Sequence, residues 1–163
     1  MKWLLSASMF LSLNVFAFSD ADVKSLIDKT SDDVTKDSKA TFEKIKKGEA
    51  PYKKDDLYVF VYDTDLNMVA HPDAKLVGQN LKGKGDACGC LFRDEILNRV
   101  TKVAGDTNCK NADKDSVSYV YKNPKTTKLE HKEAFFKSAK GSDGKQYIVI
   151  SGTYIKEMTE CEK

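Results

Sequence analysis

Few side chains in this sequence could grip a small anion, and most of them lie in strand-like runs. Tyr119 and Tyr121 are two residues apart in SYVY, so a strand places both phenols on one face. There they either hydrogen-bond a carboxylate and pack its alkyl part, or fill a core with their hydroxyls reaching backbone or water. Lys137 follows Phe135 and Phe136, and a cation there either pairs with an anionic ligand or faces solvent. Lys132 has the opposite strand parity, so both lysines serve one pocket only across a bend or bulge. His71 precedes Pro72 at a strand end. It reads either as a ligand donor that switches near neutral pH or as a histidine bonded to nearby backbone. Asp63 and Asp65 look like a carboxylate pair but fit a turn that bonds its own backbone. No nucleophile elbow, phosphate loop or His-Glu-x-x-His occurs. The expectation is a protein without catalytic residues and without a cofactor.

Four cysteines remain to be placed: Cys88, Cys90, Cys109 and Cys161. An even count fits two disulfides in an oxidising compartment. A Cys88–Cys90 bond would close a very tight ring, so the favoured pairings tie this segment to Cys109 and Cys161, in either order. Zinc, with His71 and His131 as further ligands, is the rival reading. Cys-x-Cys with scattered partners lacks the paired spacing of common zinc sites, and no metal is expected.

The elements that must position these groups follow from periodicity. Asp20 to Ala50 reads as a helix, with Val23, Ile27, Val34, Phe42 and Ile45 near helical spacing and charges on the other face. At 1.5 Å per residue, about 28 residues would span roughly 40 Å. Leu57–Tyr62 is an almost continuous aromatic and apolar strand, Asp63–Asn67 a turn, and Met68–Ala70 the return strand, stopped by Pro72. Residues 75–85 read as a loop, Leu91–Val103 as a second helix and 104–115 as a polar loop. In that helix Leu91, Ile96, Leu97 and Val100 share one side, and Arg93, Asp94, Glu95 and Arg99 spread over the rest. Strands at 116–121, 129–138 and 146–155 complete a meander, the last turn carrying the Asp143-Gly144 hairpin signal. The order gives an α+β domain with a long N-terminal helix on an antiparallel sheet.

Composition sets the bounds. The chain has 163 residues and a formal net charge of +2. Such a mixed surface does not suggest nucleic acid, and Lys46-Lys47 and Lys53-Lys54 read as solvated faces. Residues 1–19 read as a signal peptide cut after Ser19. Their apolar run is short and broken by Ser6, Ser8, Ser12 and Asn14, which makes a poor membrane span. No later stretch is long and apolar enough to cross a bilayer, so a soluble mature protein is expected, with residues 157–163 as a cysteine-bearing tail.

Taken together and in order, several motifs resemble a single Cache domain. They are YVFVYDTDLNMVAHP at 58–72, LVGQNL at 76–81, the second helix, SYVYKNPKTTKLEHKEAFFK at 118–137 and YIVISGTY at 147–154. The likeness covers about residues 20–156. Cache domains are extracytoplasmic PAS-like sensor domains of bacterial chemoreceptors and sensor kinases. The resemblance implies a long N-terminal helix over a curved antiparallel sheet that carries a small-molecule pocket. It implies ligand contacts at Phe60, Tyr62, His71, Tyr119, Tyr121, Lys132, Lys137 and Tyr154. The implied ligand is a small carboxylate, amino acid or related metabolite, and the implied location is the periplasm. Pairing of two copies through the N-terminal helix is also implied. GDACGC departs from the family's usual acidic turn, and no second membrane helix or signalling domain follows Tyr154. Action through a membrane partner in signal transduction or chemotaxis is therefore expected. The rivals are an interaction protein with a degenerate pocket and a metal or thiol-redox protein.

Overall fold

The computed structural model describes residues 18–109 and 114–161, so the signal-peptide reading lies outside the described residues but for Phe18 and Ser19. Helix α1 runs Asp20–Lys47. Ser19 caps it: its hydroxyl accepts from the Asp22 N–H while the Asp22 carboxylate accepts from the Ser19 N–H. The helix stops three residues short of the expected Ala50, because Gly48 turns left-handed at φ 65° and bonds back to Ile45 and Lys44. Its buried stripe mixes Val23, Ile27, Val34 and Ile45 with Thr30 and Ser31. Those two hydroxyls can be buried because each donates to the carbonyl four residues back, Leu26 and Ile27.

At Asp37 the helical dihedrals break (φ −153°, ψ 89°). Ser142, in the last hairpin turn, repairs the gap. Its N–H donates to the Val34 carbonyl, and its hydroxyl accepts from the Ser38 N–H. The kink and the turn therefore satisfy one another's backbone groups.

The strands are β1 (Lys53–Lys54), β2 (Leu57–Asp63), β3 (Met68–Ala70), β4 (Ser116–Lys122), β5 (Leu129–Lys140) and β6 (Gln146–Glu157), with helix α2 (Phe92–Thr101) between β3 and β4. They form an antiparallel sheet of order β1-β2-β6-β5-β4, with β3 added beside β2. Every residue of β2 from Leu57 to Tyr62 is buried, since both faces are covered. Leu57, Val59 and Val61 face α1. Tyr58, Phe60 and Tyr62 face α2 and the segment that leads into it. Gly152 in β6 lies so close to β5 that a Cβ there would stand 2.1 Å from the Glu133 carbonyl oxygen.

The disulfides are Cys88–Cys161 and Cys90–Cys109. They resolve the pairing that the sequence left open, and no cysteine among the described residues is free. Among the described residues no cluster of His, Cys, Asp or Glu has metal-binding geometry.

Candidate functional site

The site grows from strand alternation. Tyr58, Phe60 and Tyr62 form an aromatic row along β2, with centroids 6.0 and 5.7 Å apart. Across the sheet the register pairs Tyr119 with Lys132 and Lys132 with Tyr154, a transverse row over β4, β5 and β6. A shift in the β5–β6 ladder at His131/Lys132 marks the crossing of the two rows.

Lys132 is the unusual group there. Its side chain is fully buried and its Nζ makes no hydrogen bond. Rings surround it: Tyr58 at 3.8 Å from the Nζ, Tyr154 at 4.8 Å and Phe60 at 5.4 Å. Burial pulls its pKa down to about 7, with Asp56 pulling weakly the other way. The ring faces also favour the charged form, since their quadrupoles attract a cation. A buried ammonium without an acid or a carbonyl partner is costly, and aromatic faces offset only part of that.

His71 packs beside the row, 5.2 Å from Tyr58 and 5.7 Å from Phe60. Its Nδ1 accepts the Asp73 N–H at 2.8 Å, so in the neutral ring the proton sits on Nε2, free to donate. Burial, then the Lys132 charge, lowers its pKa to about 4. Backbone therefore holds Nδ1, as the structural reading expects, and a pKa near 4 goes against a switch near neutral pH.

A second buried cation lies at the other end of the aromatic row. Arg93 donates from Nε to the Tyr62 hydroxyl at 2.9 Å and from Nη1 to the Lys84 carbonyl at 3.1 Å. Its guanidinium lies 4.0 Å over Phe92, which stacks on Tyr119 at 3.7 Å with rings nearly parallel. Neither Arg93 nor Lys132 forms an ion pair among the described residues.

Beside these groups a cleft of about 430 Å³ opens to solvent. One wall is Tyr58, His71, Pro72 and Leu76, and the other is Tyr121, Asn123 and Pro124. Lys53, Lys122 and Asp73 stand at its rim. Deeper, a void of only about 10 Å³ lies among Phe60, Tyr62, Phe92, Arg93 and Tyr119. The two spaces share Tyr58, His71 and Tyr121 as walls. Asp86 ties the segment over them to β4: one carboxylate oxygen accepts from the Cys88 and Cys90 N–H groups, the other from Val120.

Of the expected contact residues, Phe60, Tyr62, His71, Tyr119, Tyr121, Lys132 and Tyr154 come together on this face. Lys137 does not. It lies on the opposite face of β5, half exposed and paired with Asp28 of α1 at 2.7 Å. Strand parity had put the two lysines on opposite faces, and the ladder shift does not bring them together. Asp63 ends β2, one residue later than expected, and its carboxylate holds the turn that follows by accepting from the Asp65 and Asn67 N–H groups. Sequence reasoning missed Tyr58, although it shares the parity of Phe60 and Tyr62. It also spread Arg93 over the polar side of α2, where the structure buries it.

Comparison with known proteins agrees with this architecture. The family model of the dCache_2 Cache domain matches residues 23–159. No curated protein sequence matches the chain. The fold is similar to that of a methyl-accepting chemotaxis protein from Vibrio parahaemolyticus, with TM-score 0.63 and 16% identity over 83% of this chain and 87% of that one. The ligand-binding domain of the Pseudomonas fluorescens chemoreceptor CtaA, in complex with L-alanine, aligns with TM-score 0.37 and 14% identity over 64% of this chain and 35% of that one.

Proposed function

The chain belongs to the Cache-domain family, and from that premise we propose that it binds a small carboxylate or a related anionic metabolite at the aromatic face of its sheet. The observation that carries this reading is Lys132, a fully buried side chain whose Nζ has no hydrogen bond and no acid partner and lies 3.8 Å from the ring of Tyr58, which also lines the 430 Å³ cleft. A carboxylate entering there supplies the missing counter-charge, and charge-assisted bonds of this kind are the strong ones. His71 Nε2–H and the Tyr121 hydroxyl add neutral donors. Tyr58, Leu76 and Pro124 cover the apolar part of the ligand. Cache domains are sensory ligand-binding modules, not enzymes, and the site has no nucleophile–base pair that would argue otherwise. The protein works in the periplasm, where the occupied form docks on a membrane receptor in signal transduction or chemotaxis. The 71–86 segment, which carries His71 at one end and is fixed by Asp86 at the other, is the surface that changes on binding.

A second reading has one observation in its favour. The deeper void holds about 10 Å³, so the protein's own rings already fill most of that space. On this reading the pocket is vestigial and only the surface matters.

Thermal unfolding against a panel of small carboxylates, amino acids and amines separates the two. A carboxylate at 100 times its dissociation constant adds roughly 2.7 kcal/mol and raises the midpoint by several degrees. A flat panel on folded, ligand-free protein would favour the vestigial pocket.

A further inference from the structure

Two buried cations, not one, stand without acids on this face. Lys132 and Arg93 lie at opposite ends of the Tyr58–Phe60–Tyr62 row, which covers five residues of β2. Its four steps, at about 3.3 Å each, make it roughly 13 Å long. His71 packs over its middle and feels the charges of both Lys132 and Arg93. The acids of the neighbourhood are occupied or remote. Asp73 is exposed at the rim of the cleft, and Asp56 acts on Lys132 only through space. Glu130 is taken by the Asn123 amide and the Thr126 hydroxyl.

We infer that the ligand carries two anionic ends, one received by Lys132 and the other by Arg93, and is therefore a short dicarboxylate. This rests on the small-anion reading of the site and goes further than it. A monocarboxylate would neutralise one cation and leave the second buried and unpaired. A free amino acid would bring an ammonium group beside two cationic side chains, and the buried Glu130 carboxylate is already taken. A dicarboxylate neutralises both. Its methylenes would lie against the Phe60 and Tyr121 rings, and His71 Nε2–H would face the chain between the two ends. Because Tyr58, His71 and Tyr121 wall both the cleft and the inner void, movement of those side chains would join the two spaces into one elongated chamber.

The test is titration calorimetry of the purified protein with malonate, succinate and glutarate, each set against the monocarboxylate of equal length (propanoate, butanoate, pentanoate), and with L-alanine. At least one dicarboxylate is expected to bind ten-fold or more tighter than its monocarboxylate and tighter than L-alanine. In R93M that preference should shrink to within about two-fold. R93K, which keeps the charge, should retain part of the preference, and it serves if R93M does not fold. Equal or tighter binding of a monocarboxylate or of L-alanine would overturn the inference and leave an occupied pocket. Binding of none of these compounds would overturn the inference and the small-anion reading together.

Discussion

Among single residues, Lys132 and Arg93 stand out as cations buried without acid partners. Parity in the sequence separated Lys132 from Lys137, and the structure gives them opposite faces. What parity could not say was which of the two lysines would be buried. That depends on α1 covering one side and α2 with its leading segment covering the other, which are long-range facts. Arg93 was less legible still. It sits at the start of a short helix among Asp94 and Glu95, and its inward contacts, the Phe92 ring, the Tyr62 hydroxyl and the Lys84 carbonyl, are set by tertiary packing. The buried bases predict a pH profile. Folding lowers the Lys132 pKa from 10.5 to about 7, so between those values the unfolded chain holds the extra proton and stability rises with pH. His71 acts in the same direction between about 4 and 6.5, where stability is lost as pH falls. Denaturant titrations in ligand-free buffer should show both rises, each bounded at about 1.4 kcal/mol per pH unit. K132M should flatten the upper one, and an unchanged slope there would show that Lys132 titrates normally. Ligand affinity has the opposite slope above pH 7, because an anion favours the protonated lysine. Binding measured at pH 6.5 and 8.5 should be weaker at the higher value.

At the scale of elements, most of the fold could be read directly. The long helix, the aromatic hairpin, the second helix and the three-strand meander appear within a few residues of their expected bounds. Apolar periodicity specifies such elements because each must bury one face. Two features were not legible. The kink at Asp37 lies in a run with no proline or glycine, and it is held by Ser142 more than one hundred residues away in sequence. The contact of Gly152 with β5 depends on sheet geometry that no local pattern encodes. Both give tests. Gly152→Ala must push β5 and β6 apart or distort them, costing about 1–3 kcal/mol in chemical denaturation, the range of overpacked cores. It should weaken ligand binding too, since Tyr154 follows two residues later in β6. Ser142→Ala removes the bonds of its hydroxyl to Ser38 and should cost about 1 kcal/mol. No loss in either variant would mean that the local geometry relaxes freely.

At the scale of the whole molecule, the disulfides bind the site's cover to the rest of the chain. Cys88–Cys161 joins the segment before α2 to the tail after β6, and Cys90–Cys109 closes the loop beyond α2. Closing the larger of these loops, with a separation of 73 residues, restricts the unfolded chain most. Replacing Cys88 and Cys161 by serine should cost about 2–5 kcal/mol of stability, and the ligand response should weaken with it. A ligand response unaffected by that change would place the binding surface away from the 71–91 segment. Among the described residues no helix is long and apolar enough to cross a membrane. The proposed binding depends above all on the buried Lys132. Its role is decided by the unfolding free energy of wild-type protein and of K132M, side by side, with and without the best-binding carboxylate. Without ligand, K132M should be as stable as wild type or more so, by up to a few kcal/mol, because an apolar chain of similar size replaces an unpaired buried charge. With ligand, wild type should gain stability and K132M should gain none. A variant that responds to the carboxylate as strongly as wild type would contradict the account.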